Sequence, residues 1–145
     1  MFALLATLIA IYIRLGIGKS SVSRTEKLCV HLPFSVYLGW ITVASIANVA
    51  AALVSVSWDG FGLSAETWAI LAMVIALVVT LAVIAARRDT AYSLVVVWAL
   101  AGIAVKQSAY PSIVVVAEIG LAAILVVLAI SLVAWRSRHK TIKNP

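Results

Sequence analysis

The stretch PFSVYLGWITVASIAN, residues 33–48, decides the fold, because it is a long apolar run with a few conspicuous residues inside it. If the run is a helix, four of those residues share one face at i, i+3, i+7 and i+11: Tyr37, Trp40, Ala44 and Asn48. An amide without a partner is costly in hydrocarbon, so we expect this face to meet protein or a ligand. The alternative is an ordinary helix-packing face, on which the alanines allow close approach.

The composition sets the class of protein. Of the 145 residues, 65% are hydrophobic and only 11% are charged, whereas soluble domains are near half apolar and a quarter charged. We therefore predict an all-α, polytopic membrane protein, and the length allows a single transmembrane helical bundle. The single cysteine, Cys29, excludes an intramolecular disulfide and a multi-cysteine metal site.

Hydropathy divides the chain into five apolar segments and a basic tail, at about 2–17, 28–58, 67–86, 90–105, 110–135 and 136–145. The first segment is short for a crossing, which takes about 20 residues. Ser23 and Glu26 read as a capping box before the second segment, and Ser64 as the cap of the third. Pro33 should kink the second segment or split off a short interfacial piece.

The basic residues give the orientation. If the segments alternate across the bilayer, ten of the eleven Lys and Arg residues fall on one side, and only Lys106 falls on the other. The positive-inside rule makes the populated side cytoplasmic. The N-terminus is then predicted outside and the C-terminus inside. The basic residues behind the +6 net charge are expected to interact with anionic lipid headgroups and not with nucleic acid.

Glu118 is the one carboxylate predicted well inside a segment. At about 1.5 Å per residue, Glu118 and Trp98 lie about 12 Å from the outer ends of their helices, and Asn48 about 15 Å. An intramembrane carboxylate is a functional-site candidate that needs a partner. We expect that partner to be Asn48, with Lys106 as the alternative. Otherwise Glu118 is protonated and hydrogen-bonded within the bundle, or contacts another subunit.

The aromatic residues and the histidine suggest a ligand but not catalysis. Trp58, Trp68 and Trp135 lie at segment ends, as the aromatic belt predicts, whereas Trp40 and Trp98 lie inside their segments. Buried indoles can form the wall of a site for a flat apolar ligand, or they can simply pack against neighbouring helices. His31 could be an axial ligand of a tetrapyrrole, or merely solvated or hydrogen-bonded. We find no catalytic constellation, phosphate loop or metal-ligand spacing, so we predict no enzymatic activity and no metal site.

Within the opening stretch, Tyr37, Leu38, Trp40, Ala44 and Asn48 match a helix pattern of one family. The sequence resembles the tryptophan-rich sensory protein (translocator protein, TspO/MBR) family, more loosely over residues 28–107. In that family the pattern lies on the last of five helices, so we expect that earlier family helices are missing here. The resemblance implies a helical bundle that binds porphyrins and other apolar ligands and often dimerises.

These observations lead to a ranked set of expected functions. The first is binding of a tetrapyrrole (porphyrin, haem or chlorophyll type) or similar apolar ligand in a sensory or trafficking role. The second is a small accessory subunit that packs against a larger membrane complex. A transporter that uses Glu118 is the weakest, because paired repeats and broken helices are not evident. The expected partners are the lipid bilayer of the inner membrane and other protein chains, as a homo-oligomer or hetero-oligomer.

Overall fold

A computed structural model describes residues 1–20, 22–56 and 59–141, the side chains of Val54 and of residues 135–141 excepted. Its helices, in chain order, are α1 (Phe2–Arg14), α2 (Arg24–Glu26), a π-helical turn (Lys27–His31), α3 (Leu32–Ser55), a 3-10 turn (Gly60–Gly62), α4 (Ala65–Arg87), α5 (Thr90–Lys106) and α6 (Pro111–Thr141). Trp58 and the side chains of Trp135 and the basic tail lie outside the described residues, so their predicted roles are untested.

The predicted class, an all-α polytopic membrane protein, is confirmed. Three stretches are long and apolar enough to cross a bilayer: Arg24–Leu53, Ala65–Arg87 and Pro111–Ala134. Helices α1 and α5 are apolar but shorter. Each of the five predicted segments overlaps one of the helices α1, α3, α4, α5 and α6. Hydropathy predicts these helices because a long apolar run can satisfy its backbone groups in a bilayer only by forming a helix.

Side-chain caps fix where several helices begin. Ser23 Oγ accepts a hydrogen bond of 3.1 Å from the Glu26 backbone N–H, and Ser64 Oγ accepts one of 3.1 Å from Thr67. The predicted serine caps are thus confirmed, while the reciprocal bond from the Ser23 N–H to the Glu26 side chain is not seen among the described hydrogen bonds. Each cap satisfies one of the N–H groups that a helix leaves without an intrahelical partner.

Pro33 is accommodated by a wider turn. The backbone N–H of Leu32 donates to the Lys27 carbonyl, five residues earlier, at the end of the π-helical turn. A proline in a regular α-helix clashes with the carbonyl four residues before it. The wider turn relieves that clash, so the helical stretch Arg24–Leu53 runs on without releasing the separate interfacial piece that was one of the two expected outcomes.

Helix α5 is the centre of the packing. It contacts α3, α4 and α6, while α6 also contacts α4, and α1 lies against α3. Gly39 permits the close approach of α3 and α5, since a Cβ there would lie 3.0 Å from the Tyr92 carbonyl oxygen. The buried core runs through every long helix, for example at Tyr12, Met73 and Val96. In lipid, such close packing takes over the role that hydrophobic burial has in water.

The outward faces remain apolar. Val78, Ile119 and Ile130 are each about 60% exposed, together with many other large aliphatic side chains. A soluble protein rarely presents so much contiguous apolar surface. These faces are the surface that the bilayer covers.

Candidate functional site

A cleft of about 420 Å³ opens between α3, α4 and α5. It lies toward the end of the bundle where α4 begins and where residues 107–110 connect α5 to α6. We call this the outer end because the predicted orientation places it outside. The start of α6 closes part of it through Ile113. The cleft is partly open, so a ligand could reach it from the surface of the bundle.

Small side chains create this space. Helix α3 lines the cleft with Ala47 and Ala50, α4 with Ala69, Ala72 and Ala76, and α5 with Ala99 and Gly102. Facing rows of alanine and glycine usually let helices approach closely. Here the described side chains that line the rows leave a gap of about 420 Å³ between them. The Cβ position of Gly102 has open space around it.

Two indoles form a wall of the cleft. The rings of Trp40 on α3 and Trp98 on α5 have centroids 5.5 Å apart and planes inclined at 41°. That separation is in the range of favourable aromatic pairs. Trp40 is 46% exposed and Trp98 is 64% exposed, so both rings keep accessible surface after they pack on each other. An apolar ligand in the cleft would therefore meet aromatic surface that is already positioned.

Polar groups are confined to the outer mouth of the cleft. Among the described lining residues, only Lys106 and Gln107 carry polar side chains, and the remainder are apolar apart from the indole N–H groups. Lys106 is the last residue of α5, where a cation interacts favourably with the carbonyl end of the helix. The cleft is thus an apolar chamber with one positive charge at its edge.

The model of the TSPO-like protein family matches residues 1–131. The chain belongs to the TSPO-like family. No curated protein and no solved structure is significantly similar to it. The family match begins at Met1 and includes α1, so it extends beyond residues 28–107, where the sequence resemblance lay.

In this TSPO-like chain, only one of the four residues on the predicted face of α3 lines the cleft. Trp40 lines the cleft, whereas Tyr37, Ala44 and Asn48 are absent from its described lining. Tyr37 is 44% exposed. The Asn48 side chain donates a 2.9 Å hydrogen bond to the Ala44 carbonyl of its own helix. The Asn48 amide therefore has a hydrogen-bond partner within its own helix and does not depend on a ligand for one.

Glu118 and Asn48 do not form the expected pair. Glu118 lies on the exposed side of α6, next to the fully buried Ala117. Within the described residues, no hydrogen bond or ion pair to Glu118 is present, and the Asn48 amide is occupied as above. The alternative that Glu118 contacts another subunit stays open.

His31 lies away from the cleft. It is buried in the π-helical turn, nine residues before Trp40, or about 13 Å along the helix axis. Its Nε2 atom has no hydrogen-bond partner in the described part of the chain. A ligand lying against the indole wall would therefore not reach this imidazole. Among the described residues, no group of three His, Cys, Asp or Glu side chains could hold a metal ion.

A buried polar cluster at the inner end was not predicted. The Tyr12 hydroxyl donates a 2.7 Å hydrogen bond to Asp89 Oδ2, and the Tyr92 backbone N–H donates to Asp89 Oδ1 at 3.1 Å. The Arg87 guanidinium lies 5.2 Å from the centroid of the Tyr12 ring and donates to the Ile17 carbonyl at 3.2 Å. These contacts fasten α1 and the loop after it to the α4–α5 connection.

Gly18 allows that attachment. It has a φ of +83°, and a Cβ at this position would lie 2.1 Å from the Arg87 carbonyl oxygen. Only glycine combines this backbone conformation with such a close approach. The one sequence signal for the cluster was Asp89 immediately before an apolar run, since aspartate is a favoured helix N-cap. Its pairing with Tyr12 could not be read from local sequence.

Proposed function

We propose that this membrane protein binds a flat apolar ligand of the tetrapyrrole class in the cleft, in a sensory or trafficking role and without catalysing a reaction. The observation that carries the proposal is the cleft wall built by Trp40 and Trp98. A volume of about 420 Å³ lies within the range of about 300–1,000 Å³ that is usual for small-molecule sites. We further propose the inner membrane as the location, with the N-terminus outside.

The described lining fits the faces of such a ligand and sets how it would be held. Apolar walls and indole rings favour contact with a planar hydrocarbon surface. His31, in the π-helical turn before α3, is too far from the cleft to serve as an axial ligand of a molecule placed there. Binding would therefore rest on ring contacts and on groups at the mouth, and not on a histidine bond.

The first test removes one indole. Protoporphyrin IX is titrated into the protein in lipid nanodiscs and followed by its visible absorbance. Trp98→Ala should raise the Kd about tenfold, equivalent to about 1.4 kcal/mol for one lost aromatic contact. Tyr37→Ala is the matched control, because it removes an exposed aromatic side chain of α3 that lies outside the described lining. Equal effects of the two substitutions would overturn the proposal.

The second test fills the cleft instead of opening it. Gly102→Leu places a side chain where the Cβ meets no atom within 4 Å. The substitution should leave the fold intact, because leucine favours a helix more than glycine does. It should nevertheless block porphyrin binding. Unchanged binding by a folded Gly102→Leu protein would place the ligand elsewhere.

A second candidate function, a subunit of a larger assembly, is favoured by Glu118. This carboxylate is exposed on α6, seven residues or about 10 Å from the outer end of that helix at Pro111. A charged group is expensive at such a depth unless it is paired or neutralised. A group supplied by another chain would offset that cost.

The assembly function is tested by sedimentation in mild detergent. Glu118→Leu should reduce the share of oligomer, whereas Glu118→Gln should keep it, because the amide can still form interhelical hydrogen bonds. The free energy of unfolding of the monomer should be unchanged in both variants. A monomeric parent protein, or an assembly indifferent to the leucine substitution, would argue against this function.

A further inference from the structure

The outer mouth of the cleft holds the one basic residue that the sequence places opposite the cytoplasmic side. Lys106 contributes to the lining, and the Gln107 amide lies beside it in the chain. All other Lys and Arg residues lie in the first 27 residues, in the α4–α5 connection or in the tail. A lone lysine at this edge runs against the charge bias that orients membrane proteins.

We infer that the cleft selects ligands whose apolar body carries a carboxylate, with Lys106 as the residue that recognises it. The inference rests on the proposed ligand binding and names the ligand class of that site. The ammonium group of Lys106 pairs with the carboxylate at the mouth, while the apolar body lies against the indoles. The Gln107 amide offers a second donor to the same carboxylate.

The spacing along α5 sets the size of the ligand. Trp98 and Lys106 are eight residues apart, which corresponds to about 12 Å along the helix axis. A flexible lysine side chain can adjust its reach by several ångströms. The matching ligand therefore has a rigid apolar part of about 10–12 Å with its acid group at one edge. A neutral molecule of the same shape would leave the ammonium group unpaired.

Two other roles for Lys106 are open to experiment. It could extend to the membrane surface and complement the C-terminus of α5, without touching a ligand. It could instead pair with the phosphate of an anionic lipid. The first role predicts that the ligand's charge has no effect on binding. The second predicts that Lys106 determines how anionic lipid affects ligand binding, and that it does not contribute to recognition of the ligand's acid group.

The experiment compares protoporphyrin IX with its dimethyl ester, which has the same ring and no carboxylates. Binding is followed by quenching of tryptophan fluorescence in phosphatidylcholine nanodiscs. The parent protein should bind the diacid about fivefold more tightly than the ester, as expected for one partly solvated ion pair. Lys106→Gln should remove that preference without weakening binding of the ester, and Lys106→Arg should keep it. Lys19→Gln, an exposed lysine at the other end of the bundle, should change neither Kd.

Each remaining outcome overturns the inference in a distinguishable way. Equal affinity of the parent protein for diacid and ester, or a preference that survives Lys106→Gln, rejects Lys106 but leaves the ligand site standing. Failure of both porphyrins to bind rejects the ligand site as well. If 20% phosphatidylglycerol weakens binding of both porphyrins equally, and only when Lys106 is present, then the lysine serves a lipid headgroup.

Discussion

Replacing Tyr12 by phenylalanine would test whether the inner polar cluster stabilises the bundle. The hydroxyl of Tyr12 donates a 2.7 Å hydrogen bond to Asp89, and the two side chains are 4% and 7% exposed. The substitution removes only the oxygen. The ring stays, and with it the packing in the core and the contact with the Arg87 guanidinium.

The structure sets the size of the effect. A hydrogen bond to a charged group contributes about 1.5–3 kcal/mol, and a buried acceptor that loses its donor carries the full desolvation penalty. Asp89 keeps its bond from the Tyr92 backbone, so the helix cap itself survives. We therefore expect Tyr12→Phe to lower the free energy of unfolding by about 1.5–3 kcal/mol.

The measurement is an SDS titration of the protein in bicelles, followed by circular dichroism. Tyr110→Phe is the matched control, because Tyr110 is 51% exposed and lies outside the core cluster. A double-mutant cycle adds a second criterion: in an Asp89→Ala background, Tyr12→Phe should have little effect. If Tyr12→Phe costs no more than the control, or costs the same in both backgrounds, the hydrogen bond is not what fastens α1.

Two further predictions concern orientation and packing. In a Cys29→Ala background, Leu63→Cys should react with a membrane-impermeant thiol reagent in intact cells and Ser20→Cys should not; the opposite pattern would invert the topology. Gly39→Val should lower the free energy of unfolding by about 1–3 kcal/mol, because its Cβ would lie 3.0 Å from a carbonyl oxygen of α5. Gly102→Ala, at a site with open space, should not, and equal losses at both glycines would contradict the close approach of α3 and α5.

The helical segments could be predicted because their determinants are local. An apolar run of sufficient length, a serine such as Ser64 at its start and a basic residue at its end all belong to one continuous segment of the sequence. The widened turn before Pro33 was harder to predict from sequence. A proline near a helix start predicts an irregularity in the helix, but sequence does not show whether it is a kink, a break or a π-helical turn.

The functional face of α3 was only partly predictable. Helical periodicity shows that Trp40 and Asn48 share a side of α3, but not which neighbour that side meets. In the structure, the lining of the cleft takes Trp40 with Val43 and Ala47, so the face is rotated from the predicted one. Asn48 is conspicuous as an amide in an apolar helix, yet its side chain donates a hydrogen bond to the carbonyl four residues earlier in the same helix.

The Tyr12–Asp89 contact was beyond sequence reasoning for a different reason. The two residues are 77 positions apart, and they meet only because α1 packs on α3 while α3 packs on α5. Neither residue is unusual in its own segment: a tyrosine near a helix end and an aspartate before a helix are both common. Such a pair becomes visible only when the order of helix packing is known.

The cleft shows most clearly why conspicuous residues are an incomplete guide to a site in a membrane bundle. Trp40 and Trp98 stand out in the sequence, and both do line the cleft. The space between them and the mouth, however, exists because Ala72, Ala99 and Gly102 are too small to fill it. Alanine and glycine are common in membrane helices and ordinarily signal tight contact, so their presence does not predict a cavity. The same residues give close packing or an open chamber according to how far apart the larger side chains on neighbouring turns hold the helices. A ligand site of this kind is therefore specified jointly by two aromatic residues, which can be read from sequence, and by a helix separation that only the packed bundle determines.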